Sequence, residues 1–372
     1  MNKLTEYDIQ FLIEKLQKGE PIPEDYKYKL FPIKQKEYEL VYAGKMRKED
    51  ILANEDGVFP IPLQVEKVFN GEEYHSDNNE WRNMIVFGDN LQFLKTVYEN
   101  KDPLIKDKVK GKVKLIYIDP PFGTGDEYDA NRGQKAYSAK AKGAEFVEFL
   151  RRRLILAREI LADDGSIFVR QDYHFGHYIK VIMDEVFGRE NFRNEIVLKR
   201  VNYQGTNANK RFNPAHEIIL FYSKNDNFNF NIIYRERGRD SKWINAISPK
   251  ENKAQNIIYI NGREYIAPKE HHWRFSQTKF DKLYNEGRIR IKDDYEYVDV
   301  FGAKQIGIPQ YLESDLTPID TLFTDIPSYS FTINYPTENS EQLLERIIKS
   351  TTKENDLVLD FFAGSGTTAA VA

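Results

Sequence analysis

Two short apolar runs constrain this chain more than any other feature, because each ends in an aspartate and runs into residues that fix or free the backbone. The first lies near the C-terminal end and reads Leu357-Val358-Leu359-Asp360-Phe361-Phe362-Ala363-Gly364-Ser365-Gly366-Thr367-Thr368. Its opening residues predict a buried parallel strand, and the small residues that follow let a ligand approach the backbone. Gly364 and Gly366 supply a tight turn. Thr367 and Thr368 then begin a helix whose unpaired amides and positive dipole end attract a carboxylate or phosphate. Taken alone, a glycine pair after a strand also fits a dinucleotide fold or a plain turn.

The second run reads Leu115-Ile116-Tyr117-Ile118-Asp119-Pro120-Pro121-Phe122. The strand ends in a carboxylate, and the two prolines stiffen the chain while removing amide donors. What remains is an acceptor-only pocket with an aromatic wall. Such a pocket suits an exocyclic NH2 group: Asp119 and the Pro120 carbonyl each accept one N–H, and Phe122 stacks on a base plane. The plainer alternative is a proline-stiffened strand exit with a capping aspartate.

In this order the two motifs resemble the permuted β group of DNA amino-methyltransferases, which includes the modification subunits of type III restriction systems. Intermediate segments carry the resemblance as well: a helix at Glu148-Phe-Leu-Arg-Arg-Arg-Leu-Ile-Leu-Ala-Arg-Glu-Ile-Leu, a strand at Asp164-Gly-Ser-Ile-Phe-Val-Arg-Gln-Asp172, then Met183-Asp-Glu-Val-Phe-Gly188, Asn191-Phe192 and His216-Glu-Ile-Ile-Leu-Phe-Tyr-Ser-Lys224. It spans about residues 83–372 and is least specific over 225–334.

The resemblance implies an α/β, class I methyltransferase fold: a Rossmann-like, mostly parallel, doubly wound sheet with an inserted α+β target recognition region. It implies S-adenosylmethionine as cofactor and methyl transfer to the N6 amine of adenine in double-stranded DNA, within a restriction–modification system. Asp119, Pro120, Pro121 and Phe122 become the base-holding residues. Asp360, Phe362, Ala363, Gly364, Ser365, Gly366, Thr367 and Thr368 become the cofactor loop, with Asp89 and Asn90 near the cofactor's adenine and Pro336 and Thr337 flanking its methionine. For Asp89 the plainer alternative is a helix cap. The family's usual Lys-Pro is replaced here by Asn339-Ser340. Two other readings stay open: a cytosine-N4 methyltransferase, a group that more often has Ser at the Asp119 position, and a non-catalytic DNA-binding or assembly subunit. An NAD oxidoreductase has no use for Asp-Pro-Pro-Phe.

A formal net charge of −4 gives no global basic field, so nucleic-acid contact falls to local clusters. Lys199, Arg200, Tyr203, Lys210 and Arg211 are the ones assigned to DNA; the run Lys108, Lys110, Lys112 and Lys114 and the run Arg151 to Arg153 read as solvated faces. The chain has no cysteine, which excludes cytosine-C5 methylation through a thiolate, cysteine-based zinc centres and disulfides. No metal site is read. Neither a signal peptide nor an apolar stretch of membrane-spanning length is visible, which points to a cytoplasmic protein without membrane contact. The partners implied are double-stranded DNA, a restriction subunit and a second copy of the chain.

Four regions are expected. Residues 1–80 are a charged extension with an amphipathic helix signalled by Thr5, Ile9, Leu12, Ile13 and Leu16. Residues 81–224 hold the first catalytic part, opening on a strand from Met84 to Phe87, and 123–143 read as a lid-like loop containing Lys135, Tyr137, Lys140 and Lys142. Residues 225–334 are the recognition region, with strands at 228–234, 257–260, 288–291 and 297–301 and a helix at 278–286. Residues 335–372 are the cofactor part. The sequence stops inside the helix after the glycine loop, where a class I sheet continues to another strand, so it reads as a partial chain of a longer enzyme.

Overall fold

The computed structural model describes residues 4–23, 26, 38–53, 57–69, 81–121, 143–200, 212, 214–250, 252, 255–330 and 338–372. It comprises two compact units, Met1–Asn231 with Thr321–Ala372, and Ile232–Asp320.

In the first unit the helices are α1 (Glu6–Gln17), α2 (Lys48–Leu52), α3 (Asn90–Glu99), α4 (Ala144–Ile160), α5 (Gly176–Phe187), α7 (Glu341–Thr351) and α8 (Thr367–Val371). The strands are β1 (Val113–Ile118), β2 (Leu161–Gln171), β3 (Phe192–Lys199), β4 (His216–Ser223), β14 (Leu322–Phe323) and β15 (Leu357–Leu359). They form one sheet in the order β14-β3-β4-β2-β1-β15. Pairs β1–β15, β1–β2 and β3–β14 are parallel, whereas β4 runs antiparallel to both β2 and β3. The sheet is therefore mixed rather than parallel throughout, because the β3–β4 return needs no crossover helix.

Alternation along the strands divides the sheet into two unlike faces. Ile116, Ile118, Ile167, Val169, Leu220 and Tyr222 pack with Leu94, Leu150, Leu154, Ile179 and Ile182 of α3, α4 and α5 into one apolar core. The opposite face begins apolar, with Phe168 stacked on Phe221 at 4.2 Å, and turns polar toward one end with Tyr117, Arg170 and Glu217.

Several expectations are corrected. The segment Met84–Phe87 forms no strand: it has no ladder partner among the described residues, and without one an extended chain leaves its amides to water. Ile85 and Phe87 are accordingly 87% and 94% exposed. The strand expected from Phe228 starts only at Tyr234, because Phe228 and Phe230 turn onto Phe221 instead. Arg151 and Arg153 are buried rather than solvated: Arg151 donates to the Glu185 carboxylate at 2.9 Å and to the Met46 carbonyl at 2.9 Å. Helix α1 has its Thr5 capping box, but of its apolar residues Leu12 is buried while Ile9, Ile13 and Leu16 are exposed.

The second unit holds β5 (Tyr234–Glu236), β6 (Trp243–Asn245), β7 (Ile247–Pro249), β8 (Ile257–Ile260), β9 (Arg263–Ile266), β10 (His271–Trp273), α6 (Gln277–Asn285), β11 (Ile289–Val298), β12 (Lys304–Leu312) and β13 (Leu316–Pro318). Its core gathers Trp273, Phe280, Leu283, Ile258, Ile260 and Ile308. Trp273 is fully buried, so it holds this core together and reads nothing at the surface. Among the described residues no helix is long and apolar enough to cross a membrane.

Candidate active site

Strands β1 and β15 are parallel neighbours paired through Ile116 and Leu359, so the Asp-Pro-Pro turn and the glycine loop leave the sheet side by side at their carboxyl ends. In open α/β sheets that is where ligands bind. The two motifs are thus brought together across more than two hundred residues of sequence.

The glycine loop is braced from within. Asp360 accepts the Phe362 amide at 2.8 Å through one carboxylate oxygen and the Thr368 hydroxyl at 2.6 Å through the other, which binds the strand end to the start of α8. Burial pushes its carboxyl up to about 6 despite those two hydrogen bonds, and the neighbouring Asp119 adds to the rise. Gly364 and Gly366 adopt φ of 52° and 82°, the left-handed region that favours glycine. Open space surrounds the point where a Gly366 side chain would stand. The amides of Ser365 and Thr367 have no acceptor among the described residues, while their hydroxyls bond each other at 2.7 Å. Unpaired donors beside open space are what a carboxylate-bearing ligand needs.

Asp89 and Asn90 open α3 and tie it to the loop. Asp89 caps the helix by accepting the Gln92 amide at 3.0 Å through Oδ1. Asn90 donates to the Phe361 carbonyl at 2.7 Å and accepts from Arg153 at 2.6 Å. Arg153 also lies 3.5 Å over the Phe149 ring, and Phe149 meets Phe362 of the glycine loop with centroids 6.2 Å apart. The expectation of a solvated face fails for Arg153, whose position three residues after Leu150 and four before Ala157 puts it on the apolar stripe of α4.

Asp119 sits in a buried polar cluster. Asn339 donates to its Oδ2 at 3.1 Å, and Arg170 Nη1 stands 3.7 Å from the same oxygen. Arg170 is fully buried and bonds Glu217, which is buried too, through Nε at 2.7 Å and again through Nη2. It also donates to the Ser328 carbonyl at 3.2 Å and lies under the Tyr329 ring, whose hydroxyl donates to Glu217 at 2.8 Å. Arg200 reaches Glu217 from the end of β3 at 3.0 Å. Two guanidiniums thus balance two carboxylates. Burial drives the Asp119 carboxyl up to about 6; Arg170 opposes the rise, Glu217 adds to it, and Asn339 and Arg200 pull it back. Burial works against the charge of Arg170, but Asp119 and Glu217 hold the guanidinium well above its ordinary value.

Of the residues assigned from sequence, Asp119, Pro120, Pro121, Asp360, Phe362, Ala363, Gly364, Ser365, Gly366, Thr367, Thr368, Asp89 and Asn90 stand on this end of the first unit. Phe122, Pro336, Thr337, Tyr203, Lys210, Arg211 and the stretch with Lys135, Tyr137, Lys140 and Lys142 lie outside the described residues. Lys199 is exposed, whereas Arg200 is engaged with Glu217 beside Asp119 rather than presented as a bare surface cation. Arg170, Glu217, Tyr329 and Asn339 were not read as site residues. Among the described residues no group of His, Asp or Glu is arranged to hold a metal.

Among known proteins, the chain is 31% identical over 353 residues to the type II methyltransferase M.EcaI of Enterobacter cloacae, a match covering 88% of this chain and 71% of that protein. It is 28% identical over 375 residues to the probable type III restriction-modification enzyme HindVI Mod subunit of Haemophilus influenzae, covering 80% of this chain but 48% of the relative. The solved M1.HpyAVI–SAM complex aligns over 77% of this chain and 86% of its own at 17% identity, with a TM-score of 0.37. The N6/N4 family model described as DNA methylase matches residues 113–372, from β1 through the glycine loop to the last residue, and the chain belongs to that family.

Proposed function

We propose that this site transfers the methyl group of S-adenosylmethionine to the exocyclic N6 amine of adenine in double-stranded DNA, as the modification activity of a restriction–modification system. The observation that carries the reading is the juxtaposition of an acceptor-only Asp-Pro-Pro turn with a donor-bearing glycine loop at neighbouring strand ends. S-adenosylmethionine, when bound, supplies an electrophilic methyl on a sulfonium cation. The amides of Ser365 and Thr367 fit its carboxylate, and Asp89, Asn90 and Phe362 line the way to its adenosine end.

The target adenine is extruded from the duplex, since its amine is out of reach in the stack. Asp119 and the Pro120 carbonyl accept the two N–H bonds and turn the nitrogen lone pair toward the methyl group, with Phe122 stacking on the ring. Asp119 does its work as a charged acceptor: the N–C bond forms as the C–S bond breaks, the thioether leaves, and the methylated amine gives up one proton, with no covalent bond between enzyme and base. An aspartate, where cytosine-N4 enzymes more often carry serine, favours adenine. The unit Ile232–Asp320 is read as the recognition unit and Lys199 as a backbone-phosphate contact. A restriction subunit and a second copy of the chain are the protein partners this reading carries with it.

The test is transfer of tritiated methyl to duplex DNA, followed by digestion and separation of nucleosides. Label on N6-methyldeoxyadenosine is expected. Label on N4-methyldeoxycytidine would redirect the assignment to cytosine, and cofactor binding without any transfer would favour a non-catalytic subunit.

A further inference from the structure

Asn339 holds an unusual place in the polar cluster. It is set opposite Tyr329 by an isolated antiparallel bridge, just ahead of α7, with Ser330 donating to the Glu338 carbonyl at 2.9 Å. Its side-chain oxygen accepts the Tyr117 hydroxyl at 2.9 Å and a second bond from Arg170 Nη1. A guanidinium can only donate, so the amide atom facing it must be the oxygen. The NH2 end is thereby aimed at Asp119, where it donates to Oδ2 at 3.1 Å. Arg170 Nη1 stands nearest that same oxygen. Among the described residues nothing donates to Oδ1.

We propose that Asn339 is a positioning residue: wired by Tyr117 and Arg170, its amide clamps Oδ2 of Asp119 and thereby commits Oδ1 to the amine of the target base. The inference rests on the methyl-transfer reading and goes beyond it, since it assigns a task to a residue of the α7 entry and separates the two oxygens of one carboxylate. An aspartate free to rotate would offer either oxygen and would spend part of its time turned away from the base. With Oδ2 occupied by a donor, one geometry is selected, and the bound donor also favours the ionised form.

Among the described residues the charged and titratable groups facing Asp119 are Tyr117 of β1, Arg170 of β2, Glu217 of β4, Arg200 beyond β3, Tyr329 of the bridge and Asp360 beyond β15. Substitution of Asn339 leaves all of these in place. In Asn339→Asp the atom facing Oδ2 becomes an acceptor while the bonds from Tyr117 and Arg170 persist. Two carboxylates then face each other, and the ionised form of Asp119 is penalised.

Two readouts test the proposal on the full protein. In steady-state methylation, Asn339→Asp and Asn339→Ala should lower kcat about ten- to a hundredfold, the worth of a hydrogen bond to a charged group. Affinity for S-adenosylmethionine should hold, and the acid limb of the rate profile should move about one pH unit upward. Independently of activity, the Asp119 carboxyl carbon can be followed by NMR in protein labelled at aspartate, with Asp119→Asn assigning the signal. Its midpoint should rise in both variants and move less in Tyr117→Phe, where the amide loses one of its two anchors. An unchanged Asp119 midpoint in Asn339→Asp overturns the clamp even if the wild type methylates no DNA. Wild-type transfer to adenine together with an unaltered kcat and pH profile in the variants overturns the positioning role while leaving the methyl-transfer reading intact.

Discussion

The two faces of the central sheet are built from the same strands yet serve opposite purposes. On the helical face, Ile116, Ile118, Ile167 and Val169 meet α3, α4 and α5 with apolar contacts alone. On the other, one residue along on each strand, stand Tyr117, Arg170 and Glu217, buried as completely but bonded instead of merely packed. Burial is equal; what differs is its cost. Apolar surface removed from water stabilises by about 25 cal/mol per Å². A buried ion pair is close to neutral against a hydrophobic replacement, because desolvation offsets attraction. The helical face therefore accounts for the fold, and the polar face is explained by what it does to Asp119.

The contrast can be broken in several places. The largest effect is expected from Asp119→Ala. A charge-assisted acceptor used in the transition state is worth on the order of 2–4 kcal/mol, so methyl transfer should fall roughly thirty- to a thousandfold. Thermal stability should change little, because relief of the cost of burying this carboxyl offsets the loss of its contacts with Asn339 and Arg170. A mutant retaining transfer within about tenfold of wild type would take Asp119 out of the mechanism.

On the helical face the signs reverse. Leu154→Ala, fully buried in the apolar core, should lower stability by about 2–5 kcal/mol in denaturant unfolding. The turnover of the molecules that remain folded should hardly change. Specific loss of kcat there, at full occupancy of the folded state, would dissolve the division between faces.

Gly364→Val and Gly366→Val sharpen the cofactor half. A β-branched residue at φ of 52° or 82° is strained, by roughly 1–3 kcal/mol, and its side chain enters the space beside the Ser365 and Thr367 amides. Calorimetric titration should show weaker binding of S-adenosylmethionine by about tenfold or more. Unchanged affinity would reduce the glycine loop to a turn.

A smaller effect follows from pH. The Asp119 carboxyl lies near 6, so its charged fraction declines as the pH drops through that value. Turnover should therefore fall on the acid side with a midpoint near 6 and level off only about one pH unit above it, and Asp119→Asn should lack that limb. The smallest change is expected from Phe122→Ala, which loses base stacking worth about 1–3 kcal/mol, while Phe122→Tyr should be tolerated. Fluorescence of 2-aminopurine at the target position, read beside label transfer, separates poorer base capture from poorer chemistry.

Much of the fold was legible because long apolar periodicities dominate it. The runs that became β1, β2, β4 and α4 are largely buried, and burial leaves its mark in composition; β15, expected to be buried, is only half-buried because it lies at the edge of the sheet. The segment at Met84–Phe87 shows the limit: its residues suit a strand, but a strand is a property of two segments, and only pairing decides. The site divides the same way. Asp119, Gly364 and Gly366 announce themselves by local chemistry. Arg170 and Glu217 do not, since their meeting depends on β2 and β4 being sheet neighbours, which neither segment encodes alone. Asn339 was read only as a departure from an expected Lys-Pro; its bonds to Tyr117 and Asp119 cross 222 and 220 residues of sequence.

In the proposed reaction the turn after β1 holds the base that the glycine loop's cofactor methylates. A crystal structure of the protein with duplex DNA and S-adenosylmethionine tests it most directly. An adenine out of the stack is expected, with its exocyclic nitrogen about 3 Å from Oδ1 of Asp119 and the cofactor's carboxylate on the Ser365 and Thr367 amides. A base bound elsewhere, or a cofactor that leaves the 360–368 loop untouched, would contradict it.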